Sequence, residues 1–364
     1  MRARSRRIFA GIQDPVDAVV LMNGGGEMKD LTFRYVSGVT RGGYEGCAAV
    51  LRLDHRPTLL ISRLEEESAH TAPDCDVVAF ASKAAYAEAL KEILGQPKRI
   101  GVNPPGITLA KSRWIEELFP DAELVDVSDP IADARLVKDA DEIEKVRRAC
   151  KLTSDIAEAI PGMLRAGMTE KELSASIAEA IQRRGGQVAF DTIVCFGVGG
   201  AEPHYSPGDV KLEAGHLILI DFGSRLDDYN SDITRMYVFG SATDRHRAMY
   251  RVVRDAQEKA VDATRAGASG REIHQLTTDL IDATEFKGRF IHGTGHSIGL
   301  EVHDGPGLGA ASDLTLAPGM IMTVEPGVYV PGEGGVRIED TVLVTENGPE
   351  ILTPATKDLV EVPA

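Results

Sequence analysis

Ala214-Gly-His-Leu-Ile-Leu-Ile-Asp-Phe-Gly223 decides how the second half of this chain is read, because Pro318-Gly-Met-Ile-Met-Thr-Val-Glu-Pro-Gly327 repeats its pattern later on. Each is a short apolar run closed by an acid and then by a glycine. A run such as Leu217-Ile-Leu-Ile220 predicts a strand buried on both faces, so Asp221 and Glu325 occupy equivalent places where water is scarce. Asp232-Ile-Thr-Arg-Met-Tyr-Val238 and Glu339-Asp-Thr-Val-Leu-Val-Thr345 then open the return strands after turns of similar length. Upstream, Arg165-Ala-Gly-Met-Thr-Glu-Lys-Glu-Leu173 and Arg265-Ala-Gly-Ala-Ser-Gly-Arg-Glu-Ile273 share Arg-Ala-Gly, a capping Thr or Ser, and a Glu three residues after the cap. That is the capping-box arrangement that starts a helix. The duplication predicts two helix-plus-hairpin halves related by a pseudo-two-fold axis.

Side chains alternate along a strand, so Asp232 and Thr234 share one face, as do Arg337 and Glu339. If each half aims its two acids at the axis, four carboxylates meet. Four anions in a low-dielectric interior repel one another too strongly to coexist ionised without compensating cations, and two divalent ions would balance them. Any one of these acids alone reads as an ordinary strand-end residue in a turn; four at duplicated positions do not. Arg289-Phe-Ile-His-Gly-Thr-Gly-His-Ser-Ile-Gly-Leu-Glu-Val-His-Asp-Gly-Pro306 adds His292, His296 and His303 just ahead of the second hairpin. His292 and His296 have helical ligand spacing, but Gly293 and Gly295 favour a loop or strand that lets backbone or substrate approach closely.

The rest of the chain frames this centre. A length of 364 residues exceeds what one core usually supports, roughly 250–300, so two domains are expected. Up to about residue 127, short apolar runs alternate with helical stretches: strands at Ala48–Leu53 and Thr58–Ser62 around a His55-Arg56-Pro57 turn, a strand at 76–81, a helix at 83–94, a strand at 99–102, a helix at 108–118 and a strand at 123–127. This predicts a small α/β domain over 1–130, a linker over 131–138, and a catalytic domain over 139–364 that opens with a charged amphipathic helix. A net charge of -16 repels nucleic-acid phosphates and anionic lipid, so neither is an expected partner. No apolar run approaches the roughly 18 residues that span a bilayer, and Asp14, Pro15 and Asp17 interrupt any signal core after the basic N-terminus. A cytoplasmic setting is therefore expected. Cys47, Cys75, Cys150 and Cys195 lack metal or redox spacing and read as buried thiols.

The spacing of the acids and the histidine resembles the pita-bread metallopeptidases (M24), the family of Xaa-Pro dipeptidase (prolidase), Xaa-Pro aminopeptidase and methionine aminopeptidase. The matching residues are Asp221 with Asp232 eleven on, His296 in His-Gly-Thr-Gly-His-Ser-Ile-Gly, Glu325 in Thr-Val-Glu-Pro-Gly, and Glu339 in Val-Arg-Ile-Glu-Asp. Pro203-His204-Tyr205, His292, Val302-His303-Asp304, Arg337, the 135–149 stretch and Phe190-Asp-Thr-Ile-Val194 resemble the proline-directed branch. Arg34-Tyr-Val-Ser-Gly38 looks like part of its creatinase-type N-terminal domain. One departure is Cys195-Phe-Gly-Val-Gly-Gly-Ala201, where the family loop usually carries Ser-Gly and an Asn.

The resemblance implies an α/β (α+β) chain with a C-terminal pita-bread domain and an oxygen-rich centre in which Asp232 and Glu339 bridge two metal ions. Asp221 would complete one site, and His296 with Glu325 the other. Such a donor set suits Mn, Co, Fe or Zn, with Mn placed first. Glu325 is expected to carry the nucleophile's proton, His303 and His292 to assist at the carbonyl and the leaving proline, and His204 to position substrate. Arg337 is expected to hold the bridging carboxylates or a substrate carboxylate, or to pair with Asp232 or Glu339. A small Xaa-Pro peptide is the expected substrate, with dipeptidase ahead of aminopeptidase, and a homodimer the expected assembly. Alternatives on the same scaffold are a creatinase-like or ectoine-hydrolase-like amidase, and a metal-free interaction module.

Overall fold

The computed structural model describes residues 1–26, 29–72 and 74–364. The chain divides into two compact units, Met1–Arg135 and Leu136–Ala364. Most of the stretch expected to be a linker is helix, Ser128–Leu136.

In the first unit, six strands form a mixed sheet in the order Asp76–Phe80, Thr58–Ser62, Ala48–Leu51, Ala18–Met22, Arg99–Val102, Glu123–Asp126. Helices Lys83–Leu94 and Leu109–Leu118 start on the hydroxyls of Ser82 and Thr108, which accept from the backbone three residues on. Ala18–Met22 is central and buried along its whole length, a strand that the sequence reading leaves out. The Arg34-Tyr-Val-Ser-Gly38 stretch ends a helix, Leu31–Ser37, and Gly38 takes the left-handed conformation that closes it.

The second unit carries the duplication. Helices Ala140–Ala157 and Glu170–Arg183 accompany strands Leu217–Phe222 and Ile233–Phe239; helices Asp244–Ala263 and Gly270–Asp282 accompany Ile321–Val324 and Asp340–Thr345. The two Arg-Ala-Gly turns are built alike: Gly167 N–H donates to Leu212 O and Gly267 N–H to Leu316 O, each at 2.8 Å, and both glycines have positive φ. Thr169 caps its helix with a complete capping box, whereas Ser269 only accepts from Glu272 N–H. The strand pairs are antiparallel, with Thr234 opposite Asp221 in one and Thr323 opposite Thr341 in the other.

The halves are joined where the acids sit. Thr234 Oγ1 donates to Glu339 Oε2 at 2.8 Å, and the equivalent Thr341 Oγ1 donates to Asp232 O at 2.8 Å. Behind this seam, Arg235 bonds to Glu339 O and Asp340, and Asp340 also accepts from Gln257 and Lys357. Asp340 is fully buried and its pKa is lowered; burial opposes ionisation, and the charges of Arg235 and Lys357 outweigh it.

Candidate metal centre

The strand ends deliver the acids to one cavity of about 400 Å³, whose wall includes Asp221, Asp232, His296, Glu325, Arg337 and Glu339, with His204, His292 and His303 beside them. Asp221 lies near the end of its strand and Glu325 immediately follows its own; Asp232 and Glu339 each precede a return strand. His296 comes from a short strand, Gly295–His296, paired with Gly307–Leu308, so the strand reading of the glycine-rich stretch holds and the helical one does not. A Cβ at Gly295 would collide with the Thr323 carbonyl, and this close approach lets His296 N–H reach Thr323 Oγ1 at 3.0 Å.

Asp232, His296 and Glu339 each offer a ligand atom within 4.8 Å of the others. His296 Nε2 lies 3.7 Å from Asp232 Oδ2 and 3.6 Å from Glu325 Oε1, too far for hydrogen bonds. Burial, then the neighbouring His303, lowers the pKa of His296 to about 4, so the ring is neutral near pH 7. Its Nδ1 lies 3.2 Å from Ser297 O and donates to it, leaving the Nε2 lone pair facing two carboxylates. A cation between them satisfies that arrangement, and a backbone carbonyl on the other ring nitrogen is the usual support for a metal-binding imidazole.

The acids point the same way. Burial, followed by the charges of Glu339, Asp221 and Glu325, holds Asp232 well above the usual carboxylate range; burial and then Glu325 and Asp221 do the same to Glu339. Glu325 is pushed up to about 7, chiefly by burial. At about 4 Å and an effective dielectric of about 20, two like charges cost about 4 kcal/mol, the scale on which Asp232 and Glu339 oppose one another. Among the described residues, Asp221 Oδ1 and Asp232 Oδ1 are buried without a hydrogen-bond partner. Hard oxygens, a lone pair and orphaned acceptors around one cavity are the donor set of divalent cations, and the residues present fit that group.

Arg337 is the cation facing this cluster, and its partner differs from expectation. Its Nη2 donates to Asp221 Oδ2 at 2.5 Å, not to Asp232 or Glu339, because its Nε is held by Thr234 Oγ1 and its Nη1 by Tyr329 Oη at 3.0 Å. His292 also departs from its expected role. Its Nδ1 donates to Gly293 O and its Nε2 accepts from Tyr329 Oη, both at 2.8 Å, so the ring offers substrate a face and no free nitrogen. Burial, then the charge of Arg337, lowers its pKa to about 4, in keeping with a neutral ring. His204 and His303 are exposed on the cavity side, and the His303 ring centroid lies 4.1 Å from that of His296.

Tyr329 is the residue that sequence reasoning misses. It shares strand parity with Glu325 and Gly327, the signal that could have found it, and a Cβ at Gly327 would collide with its hydroxyl. Glu170 is a second omission. Fully buried, it accepts from Phe196 N–H, Tyr205 Oη and Gly208 N–H, which fixes the segment leading to His204.

Duplicated hairpins closing on carboxylates and one imidazole define a metal-dependent hydrolase. Residues 144–346 match metallopeptidase family M24, and residues 7–137 match the creatinase/prolidase N-terminal domain. The chain belongs to metallopeptidase family M24 and has the pita-bread fold. It is 34% identical over 304 residues to a Xaa-Pro dipeptidase of Pyrococcus furiosus, covering 83% of this chain and 86% of that one. With a Xaa-Pro dipeptidase of Pyrococcus horikoshii it shares 33% identity over 357 residues, 96% of this chain and 95% of the other. The crystal structure of an X-Pro aminopeptidase from Thermotoga maritima superposes with a TM-score of 0.91 at 31% identity, covering 99% of this chain and 100% of that one. Among the described residues, no helix is long and apolar enough to cross a membrane.

Proposed function

We propose that this chain is a dinuclear Xaa-Pro dipeptidase, with Asp221, Asp232, His296, Glu325 and Glu339 holding two divalent ions. The observation that carries this reading is the buried cluster of four carboxylates around one cavity, with orphaned oxygens and a neutral imidazole lone pair directed at the same space. When bound, the ions supply water activation near neutral pH and polarisation of the scissile carbonyl.

The protein's own groups supply the rest. Glu325, at the cavity wall, accepts the proton of the attacking water and delivers it to the leaving nitrogen, a transfer typically contributing about 10²–10⁴ in rate. His303, exposed beside His296, reaches the carbonyl oxygen as a hydrogen-bond donor. Phe190, Ile193, Pro203 and Val302 give the cavity an apolar wall suited to a pyrrolidine ring. The ring face of His292 adds to that wall, locked by Tyr329 and Gly293. His204 positions the substrate's far end. Arg337 acts on Asp221, fixing that carboxylate and leaving its second oxygen for a cation.

Manganese is placed first among Mn, Co, Fe and Zn, and a homodimer and a cytoplasmic setting belong to the same reading. The likeness to an X-Pro aminopeptidase structure favours a second reading in which longer peptides enter. Loading the metal-free protein with Mn or Co and comparing Leu-Pro with Ala-Pro-Ala separates the two. Faster Leu-Pro hydrolysis supports the dipeptidase, faster Ala-Pro-Ala cleavage the aminopeptidase, and hydrolysis of neither refutes the proline assignment.

A further inference from the structure

The N-terminal unit contains a second cavity, of about 380 Å³, that no step of the proposed hydrolysis uses. It lies wholly within that unit and is lined by Met22, Phe80, Tyr86 and Trp114, with Glu45, Lys83 and Lys111 among the polar residues at its wall. The aromatic side is ordered. The Tyr86 and Trp114 rings stack at 5.4 Å with 4° between their planes, and Phe80 tilts against Tyr86 at 4.6 Å. Stacked aromatic faces offer a flat apolar ligand more contact than an aliphatic wall of the same size.

Two polar groups here have no explanation inside the unit. Tyr86 is 7% exposed, and its hydroxyl is buried with no hydrogen-bond partner among the described residues, an arrangement that a folded protein rarely keeps. Lys111 is half-buried, and its ammonium has no carboxylate partner among the described residues; burial lowers its pKa, so the charge sits in a poorly solvated place. An aromatic wall with a half-buried, unpaired ammonium beside it is the composition of a small-molecule site, in which a few polar groups orient a mostly apolar ligand. Two ammonium groups against one carboxylate select an anion over a cation.

We propose that this cavity binds a small carboxylate with a flat apolar body, its ring against the aromatic wall of Phe80, Tyr86 and Trp114 and its carboxylate on Lys111. Amino-free aryl carboxylates and free aromatic amino acids share this chemistry. Glu45 distinguishes them, because it pairs with an α-ammonium and repels a ligand without one.

Trp114 is the sole tryptophan of the chain, so its fluorescence reports on this cavity directly. The experiment titrates the full-length protein with 3-phenylpropionate and reads Trp114 emission. The expected result is a saturable change. Binding should weaken about tenfold or more with uncharged 3-phenylpropanol or in Lys111→Met, and largely persist in Lys111→Arg. Trp114→Leu should weaken binding several-fold, read by calorimetry, whereas Tyr86→Phe should keep it, since the ring that forms the wall remains and only a buried hydroxyl is lost. Lys111→Met should leave peptide hydrolysis unchanged, and Asp232→Asn should leave the Trp114 titration unchanged, which separates this cavity from the metal centre. Phenylalanine binding tighter than 3-phenylpropionate, with the gain lost in Glu45→Gln, assigns the site to amino acids; weaker binding assigns it to amino-free carboxylates. No saturable change with either ligand, or equal affinity for the alcohol and the carboxylate, overturns the proposal.

Discussion

The two halves of the catalytic unit make the same hairpin and use its tip differently. In the first half, Ser224–Leu226 and Tyr229–Asn230 form a ribbon closed by Asp227 and Asp228, both at positive φ, as a tight two-residue hairpin loop requires. That ribbon pairs with Gln187–Val188 and carries no cavity residue. In the second half, Gly327–Val330 and Gly334–Arg337 form the equivalent ribbon, and it carries Tyr329 and Arg337 into the site. His296 also enters without a counterpart in the first half. The backbone duplication thus sets up four equivalent carboxylates, while the two halves add different groups: the second brings His296, Tyr329 and Arg337, and the first brings His204 and the apolar wall of Phe190, Ile193 and Pro203. Arg337 crosses the seam to hold Asp221, so the first half supplies acids that the second half orients.

The largest effect is expected from removing a seam acid. Asp232→Asn should abolish binding of both ions and lower kcat/KM by about 10³-fold or more, as loss of several kcal/mol of metal-derived stabilisation implies. Retained turnover would break the claim that the halves share their metals. Asp340→Asn tests the seam from behind: leaving Arg235 and Lys357 without their buried carboxylate should cost about 3–5 kcal/mol in urea unfolding. A loss under 1 kcal/mol would mean the seam does not depend on that pair.

Tyr329→Phe removes what only the second ribbon contributes. It should lower activity about 10–100-fold with the fold intact, whereas Tyr229→Phe in the first ribbon should leave kinetics unchanged. Equal effects would erase the contrast between the ribbons.

The acids also fix a pH dependence. Asp232, Glu339 and Glu325 have folded pKa values above their unfolded ones, so the metal-free fold binds extra protons and loses stability as pH rises from the unfolded carboxylate range, about 4, through about 7 for Glu325. His292 and His296 act oppositely. Depressed from 6.5 to about 4, they favour the fold as pH rises through that interval. Cations need deprotonated acids, so the Tm gain on adding MnCl₂ should be larger at pH 8 than at pH 5. A gain independent of pH would contradict the carboxylate assignment. Smallest of all, Thr169→Ala should cost about 1–2 kcal/mol and Ser269→Ala about 0.5–1, because only Thr169 completes a capping box; the reverse order in thermal unfolding would refute this.

Most of this architecture was legible because the duplication writes itself twice. The Arg-Ala-Gly turns, the acid-glycine strand ends and the alternation that pairs Asp232 with Thr234 are local patterns, and the structure repeats them. The contacts that cross between elements were not legible. Whether Arg337 meets Asp221, Asp232 or Glu339 depends on Thr234 and Tyr329 fixing two of its nitrogens, which strand parity does not encode. Tyr329 reads as one more strand residue in Gly-Val-Tyr-Val; its parity with Gly327 is a faint signal, and its approach to that glycine shows its direction. That both nitrogens of His292 are engaged is not legible either, because its two partners, Gly293 O and Tyr329, are a backbone atom and a distant hydroxyl.

The central claim is that acids from both halves hold a shared pair of cations, and metal content measures it most directly. After saturation with Mn and exhaustive dialysis, elemental analysis should find two ions per chain in the wild type and none in Asp232→Asn. A wild type that retains no ion, or an Asp232→Asn variant that keeps both, would contradict the account.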